Sequence, residues 1–223
     1  MQPRPPAPLV RRFQLRLLTW YRTNGRKLPW RRTRDPYRIL VSEVMLQQTQ
    51  VERVKGYYRR FVRRYPTFDD LAGAPEPAVR EAWEGLGYYA RARNLHATAR
   101  IVVGEHGGKL PADSQVMRRL PGIGRYTAGA VLSIAYGRDE PILDTNAARV
   151  LTRVFAVRVR GGKSALQRRL WAIATRVTPA GEAGDFNQAI MDLGATICRA
   201  RAPECEMCPV RRDCAWGRVK RDS

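Results

Sequence analysis

Apolar residues recur at helical spacing along almost the whole chain, and nowhere do they alternate as a half-buried strand requires. Residues 9–22 place Phe13, Leu17 and Trp20 on one face, and Pro36 opens a long helical stretch over 37–54. A short helix capped by Asp69 or Asp70 is expected next, then one after Pro75 that ends near Gly85. Further helices fit 90–105, 114–119, 126–136, 146–155, 164–177 and 186–198. The connections are short and rich in Gly and Pro, as at Gly107-Gly108, Pro121-Gly122 and Gly161-Gly162, which is what packed helices need. The expected fold class is all-α. At 223 residues the chain is long enough for one large domain or two modest lobes.

Every thiol falls in one C-terminal segment, in the pattern Cys198-x6-Cys205-x2-Cys208-x5-Cys214. Four thiolates so placed can wrap one metal centre, either zinc or a cubane iron–sulfur cluster. Structural zinc sites usually pair two C-x2-C knuckles. This chain has a single knuckle flanked by wider arms, which suits a larger object, a [4Fe–4S] cluster. Two disulfides in a secreted chain are the alternative. The proline-rich start, Met1 to Pro8, lacks the apolar core of a signal peptide. No apolar run approaches the roughly 20 residues needed to span a bilayer, so a cytoplasmic location with no membrane partner is expected.

Lys and Arg number 41 against 20 Asp and Glu, a formal charge of +21, which implies a polyanionic partner and nucleic acid first. Arg far outnumbers Lys, so base composition or a hot habitat could inflate the charge without any ligand. A second feature points the same way. Leu120-Pro121-Gly122-Ile123-Gly124-Arg125 sits between two helices. Its glycines allow close backbone approach, the next helix presents its free N–H groups there, and Arg125 adds charge, a phosphate-binding arrangement. An ordinary glycine-containing helix–helix turn is the bland alternative.

That turn, followed by Pro141-Ile-Leu-Asp144-Thr-Asn146 and the cysteine loop, resembles the helix–hairpin–helix DNA glycosylases of the endonuclease III superfamily. The branch is similar to the adenine DNA glycosylases. Its markers are Leu28-Pro-Trp30-Arg31, Ser42-Glu43-Val-Met-Leu46-Gln-Gln48-Thr, the run from Gly85 through Tyr88 to His96, and the run from Phe186 through Gln188 to Gly194. The resemblance implies a six-helix barrel over 29–137, with a cluster lobe made from 1–28 and 138–223. It further implies double-stranded DNA carrying a mispair, bound as a monomer across the cleft, in a nucleoid-associated protein of a bacterium or archaeon. Longer adenine glycosylases carry a C-terminal domain that reads oxidised guanine. This chain stops nine residues after Cys214, so that domain is expected to be absent and, with it, the usual basis for preferring 8-oxoguanine over guanine.

Cleaving an N-glycosidic bond needs a protonated leaving base and a stabilised sugar cation, for which two carboxylates suffice by analogy with sugar hydrolysis. Glu43 has Ile39, Leu40 and Leu46 as its helix-face neighbours, company that raises a carboxyl pKa and suits a general acid. A buried ion pair with an arginine is the alternative. Asp144 just precedes a helix, so it is an N-cap, a stabiliser of the sugar cation, or both, with Asn146 orienting it. The resemblance assigns Glu43 the proton donor's role and Asp144 the stabiliser's. At Tyr126 endonuclease III-like relatives carry a lysine that cuts the strand through a Schiff base. Tyrosine cannot form an imine, so a monofunctional glycosylase is implied. Relatives acting on thymine–guanine mismatches also carry tyrosine there.

The resemblance puts Trp30, Arg31, Leu46 and Gln188 around the flipped base, and Gln48 and Tyr88 into the duplex as wedges. Read alone, Asp185-Phe-Asn-Gln188 is also a helix capping box, Trp30 also fits a core, and Tyr88 with Tyr89 could be surface aromatics. His96 and His106 lack a second imidazole at ligand spacing and read as structural or surface residues. The cations Arg199, Arg201, Arg211 and Arg212 would face phosphates. A thymine or uracil glycosylase acting opposite guanine is the competing enzyme. A non-catalytic cluster protein would have no need of both carboxylates.

Overall fold

A computed structural model describes residues 5–159 and 161–219 of the chain. The first four residues of the proline-rich start lie outside the described residues. Among the described residues every regular element is a helix. The chain divides into two compact units, one of residues 27–136 and one joining the residues up to Arg26 with those from Gly137 onward.

The split unit begins with α1, Ala7–Asn24. It turns Val10, Phe13, Leu17 and Leu18 inward, the i, i+3, i+7, i+8 stripe of a core-facing helix. Trp20, expected on that face, is only half-buried near the end of the helix.

The central unit holds α2 (Pro36–Leu46), α3 (Val51–Arg64), α4 (Phe68–Gly73), α5 (Glu76–Ala82), α6 (Ala90–His106), α7 (Ser114–Met117) and α8 (Arg125–Tyr136). α2 packs against α3, α6 and α8, and every residue from Ile39 to Met45 is buried. Asp35 starts this helix, its carboxylate accepting from the Tyr37 amide at 2.8 Å, with Pro36 at the first turn. Around α2 the core gathers Phe61, Leu71, Trp83, Leu95, Met117 and Leu132. Trp83 meets Phe61 edge to face at 5.7 Å.

Two expectations are corrected here. The helix expected over 37–54 is two helices, because Gln48 takes a left-handed conformation (φ 56°) and α2 ends at Leu46. Apolar residues keep their spacing across this break, so periodicity alone runs through it. The short fourth helix is capped by Thr67 rather than by Asp69 or Asp70. Thr67 Oγ1 accepts from the Asp70 amide at 3.2 Å, and Asp70 accepts from the Thr67 amide at 3.1 Å, a reciprocal capping box.

The split unit resumes with α9 (Thr145–Val154), α10 (Gly162–Val177), α11 (Ala183–Thr196) and α12 (Ala215–Val219). α11 packs on both α1 and α9. Phe13 joins them, its ring edge-on to Phe155 at 5.5 Å and to Phe186 at 5.9 Å. Fully burying each such side chain is worth about 1.5–3 kcal/mol. The cysteine loop is tethered to α1 by a buried carboxylate: Asp213 accepts a hydrogen bond from Arg12 Nε and forms an ion pair with Arg16, each at 2.9 Å.

Candidate active site and cysteine loop

Glu43 lies in the last turn of α2, with only 4 % of its surface exposed. The Tyr126 hydroxyl, on α8, donates to its Oε2 at 2.8 Å. The carboxyl therefore does not sit in wholly apolar company, as its helix-face neighbours suggested. A phenol 83 residues further along the chain orients it, a contact no local pattern announces.

The glycine turn rests on α6. Thr98 Oγ1 donates to the Pro121 carbonyl at 3.1 Å, and Leu120 and Ile123 are buried beneath the turn. Gly122 has φ +74°, and a Cβ there would lie 2.9 Å from Asn94 Cβ. Gly124 is different: a Cβ would meet nothing within 4 Å. Only Gly122 is thus obligatory for the turn itself. Gly122, Gly124 and Arg125 are all exposed.

Gln48 and Tyr88 are exposed as well, and both are non-glycine residues with positive φ, at 56° and 49°. Between their turns sits a residue the sequence did not single out. Arg91, 8 % exposed, donates from Nη1 to the carbonyls of Val44 (3.1 Å), Met45 (2.8 Å) and Gln47 (2.5 Å). Its Nη2 donates to Leu86 O at 3.3 Å and Gly87 O at 3.0 Å. The guanidinium thus takes up carbonyls at the end of α2 that the helix leaves unpaired. Burial pushes its pKa down, and the Tyr88 phenol acts in the opposite direction.

Trp30 is buried, edge-on to Tyr58 at 5.4 Å, so it packs in the core of the central unit. Arg31 and Leu46 are half-buried. Gln188 belongs to α11 of the split unit and is 9 % exposed. It is not part of a capping box, because α11 starts earlier, at Ala183, and Gln188 Nε2 donates to Gly184 O at 3.4 Å. His96 is buried and His106 half-buried.

In the split unit Asp144 caps α9, its Oδ1 accepting from the Ala147 amide at 2.6 Å. Its Oδ2 accepts from Asn146 Nδ2 at 2.9 Å. Arg149 holds Asn146 in turn, donating to its Oδ1 at 2.8 Å, to Gly194 O at 2.6 Å and to Cys198 O at 2.7 Å. A hydrogen-bonded line therefore runs from the Asp144 carboxylate to the backbone of the first cysteine. Gly194 makes the line possible, since a Cβ there would stand 2.6 Å from Asn146 Cβ and 3.0 Å from its backbone.

Cys198, Cys205, Cys208 and Cys214 line one pocket, closed behind by Val150, Val154, Leu193, Ile197 and Val210. Burial pushes the Cys208 thiol up to about 12; the Val210 amide opposes this, and the other three thiols add to it. Arg153 reaches Cys198 Sγ at 3.4 Å and the carbonyls of Arg199 (2.7 Å) and Ala200 (3.1 Å). Among the described residues no group of three or more His, Cys, Asp or Glu is gathered so as to hold a single metal ion. Two of the cations expected to face phosphates have carboxylate partners, Arg199 with Glu204 and Arg211 with Glu206. No helix among the described residues is long and apolar enough to cross a membrane.

The chain is 45 % identical over 214 residues to adenine DNA glycosylase of Homo sapiens, covering 92 % of this chain and 39 % of that protein. It is 43 % identical over 201 residues to adenine DNA glycosylase of Mycolicibacterium smegmatis, covering 90 % and 68 %. It spans about half the length of the curated relatives it matches. The solved structure of a thermostable thymine-DNA glycosylase superposes with a TM-score of 0.86 at 32 % identity, covering 95 % of this chain and 98 % of that one. The sequence profile of the HhH-GPD superfamily base excision DNA repair proteins matches residues 41–176, a stretch that holds Glu43, the glycine turn, Tyr126 and Asp144. With more than half its length matched in this way, the chain belongs to the HhH-GPD superfamily of base excision DNA repair proteins.

Proposed function

We propose that the protein is a monofunctional DNA glycosylase that hydrolyses the bond between deoxyribose and adenine mispaired with guanine or 8-oxoguanine. The observation that carries this reading is the pair of oriented carboxyl groups, Glu43 held by the Tyr126 phenol and Asp144 held by Asn146 and the Ala147 amide. Glu43 protonates the departing base. Asp144 stabilises the sugar cation, and water completes the hydrolysis. Tyr126 offers a phenol, which cannot form the imine that strand cutting needs, so in this reading the strand is left intact. In this reading Trp30, Arg31, Leu46 and Gln188 are the residues that recognise the flipped base, with Trp30 acting from the packed core of the central unit. Gly122, Gly124 and Arg125 hold phosphate, and the protein acts on double-stranded DNA as a monomer.

Cys198, Cys205, Cys208 and Cys214 would hold a [4Fe–4S] cluster. Four thiols lining one apolar-backed pocket supply the thiolate donor set that such a cluster takes. When bound it supplies metal–thiolate bonds that fix the loop. Residues 29–137 make the barrel and the remainder the cluster lobe in this reading.

A second reading, removal of thymine or uracil opposite guanine, draws on the likeness to the thymine-DNA glycosylase. Adenine is preferred because the adenine DNA glycosylases match at 37–45 % identity, against 32 % for the thymine-DNA glycosylase, over similar shares of this chain. Single-turnover assays on A·8-oxoguanine, A·G, T·G and U·G duplexes decide between them. Adenine release that needs alkali to reveal a break is expected, and Glu43→Gln and Asp144→Asn should each lose about 10²–10⁴-fold while still binding DNA. Thymine or uracil release, or wild-type rates in either variant, would overturn the assignment.

A further inference from the structure

Two exposed side chains, Gln48 and Tyr88, stand on left-handed turns that belong to different segments of the central unit. Non-glycine residues hold that conformation only where their surroundings over-determine it. The Gln48 turn follows α2, which ends without a glycine cap; its last carbonyls go to Arg91 instead. The Tyr88 turn follows Gly85, whose carbonyl accepts from Arg53. Its Gly87 carbonyl accepts from both Trp83 Nε1 and Arg91. The Arg91 guanidinium also lies 5.4 Å from the Tyr88 ring centroid and 5.5 Å from that of Trp83. One buried fork therefore grips both turns at once, three carbonyls on one side and two on the other.

We propose that Arg91 is a positioning residue that fixes the spacing between Gln48 and Tyr88, so that the two side chains enter a duplex as one rigid pair. The inference rests on the DNA glycosylase reading. A planar guanidinium has five N–H donors in a fixed geometry and can span both turns. A lysine ammonium has three donors at one point and cannot. Charge is thus not the essential property of this side chain; the span of its donors is. Arg91 touches neither Glu43 nor the glycine turn through any of these bonds, so its effect belongs to opening the stack and not to the bond-breaking step.

The test is Arg91→Lys. In the free protein, hydrogen exchange at amides of 46–49 and 86–89 should rise together while exchange in α4 and α8 is unchanged. On a closed A·8-oxoguanine duplex, base release should fall about 10²-fold, the cost of an ångström-scale misplacement. On the same pair flanked by mismatches, where the stack is already open, the loss should shrink by about tenfold or more. An equal loss on both duplexes would overturn the proposal and place Arg91 behind Glu43, whose helix end it also holds. Exchange that rises in one segment only would overturn it too. If Arg91→Lys does not fold, the double variant Gln48→Ala/Tyr88→Ala, which leaves the carbonyl contacts intact, must show the same closed-versus-open difference, and its absence would refute the inference. Failure of the glycosylase reading looks different: the wild type would release no base from either duplex, while the exchange result would stand.

Discussion

At Gly194 the close approach of α11 to α9 sets the size of a measurable change in stability. In the middle of an ordinary helix Gly→Ala stabilises by about 1 kcal/mol, because alanine loses less backbone freedom on folding. At Gly194 the added methyl would stand 2.6 Å from Asn146 Cβ and 3.0 Å from its Cα and carbonyl carbon. Carbon atoms rest at about 3.5–4.0 Å, so α9 or α11 must retreat by roughly 1 Å. Overpacking of this kind costs about 1–3 kcal/mol. The control is Gly56 in the middle of α3, where the methyl would meet only Arg60 Nη1 at an ordinary 3.5 Å. The helix-propensity gain has the same sign in both substitutions and is at most about 1 kcal/mol, so the packing term dominates their difference. At about 2–4 °C per kcal/mol for a chain of this size, Gly194→Ala should melt roughly 2–12 °C below Gly56→Ala. Because the displaced atoms carry Asn146, which holds Asp144, base release should fall by about 10²-fold in Gly194→Ala alone. Two variants that melt together and release base at equal rates would refute the close approach of α11 to α9.

Arg149→Lys should lower iron content and base release together, since one ammonium cannot replace three separate bonds to Asn146, Gly194 and Cys198. Iron and sulfide counted per chain provide the check, with about four of each expected in the wild type. Alkaline stability gives a prediction independent of function. Burial pushes the Tyr58 phenol up to about 12, helped by Asp35 and opposed by Arg38, and burial moves Tyr37 in the same direction. A proton held more tightly in the folded state stabilises fully below the ordinary phenol value of about 10, and that contribution is lost as pH rises through about 12. Melting temperatures should therefore decline over that window, and Tyr58→Phe should flatten part of the decline.

What the sequence makes legible follows from how far apart the interacting groups lie. Helical periodicity is local, and the observed helices follow it closely, as at 126–136 against Arg125–Tyr136. Asp144 with Asn146 is local too: the cap and its amide partner lie two residues apart, and both can be read from Asp-Thr-Asn. The contacts that escaped reading join distant segments through groups that carry no sequence mark. Tyr126 reaches Glu43 from another helix, and Gly194 looks like a weak helix residue until Asn146 is found against it. Arg91, Arg149 and Arg153 are hardest of all, because their acceptors are mostly backbone carbonyls, which every residue possesses.

These inward-turned arginines change what the charge of +21 means. Read as composition, 41 basic residues describe a surface built for phosphates. In the fold, Arg12 and Arg16 are committed to Asp213, Arg26 to Asp192, and Arg91, Arg149 and Arg153 to carbonyls that hold two turns and the cysteine loop in place. Salt dependence of binding counts the phosphates a protein neutralises, not its formal charge. The net charge therefore does not set that slope; the number of cations left to meet phosphates does. On the proposed reading, part of the arginine content sets the shape of the loops that would meet DNA, and only the remainder is available to attract it.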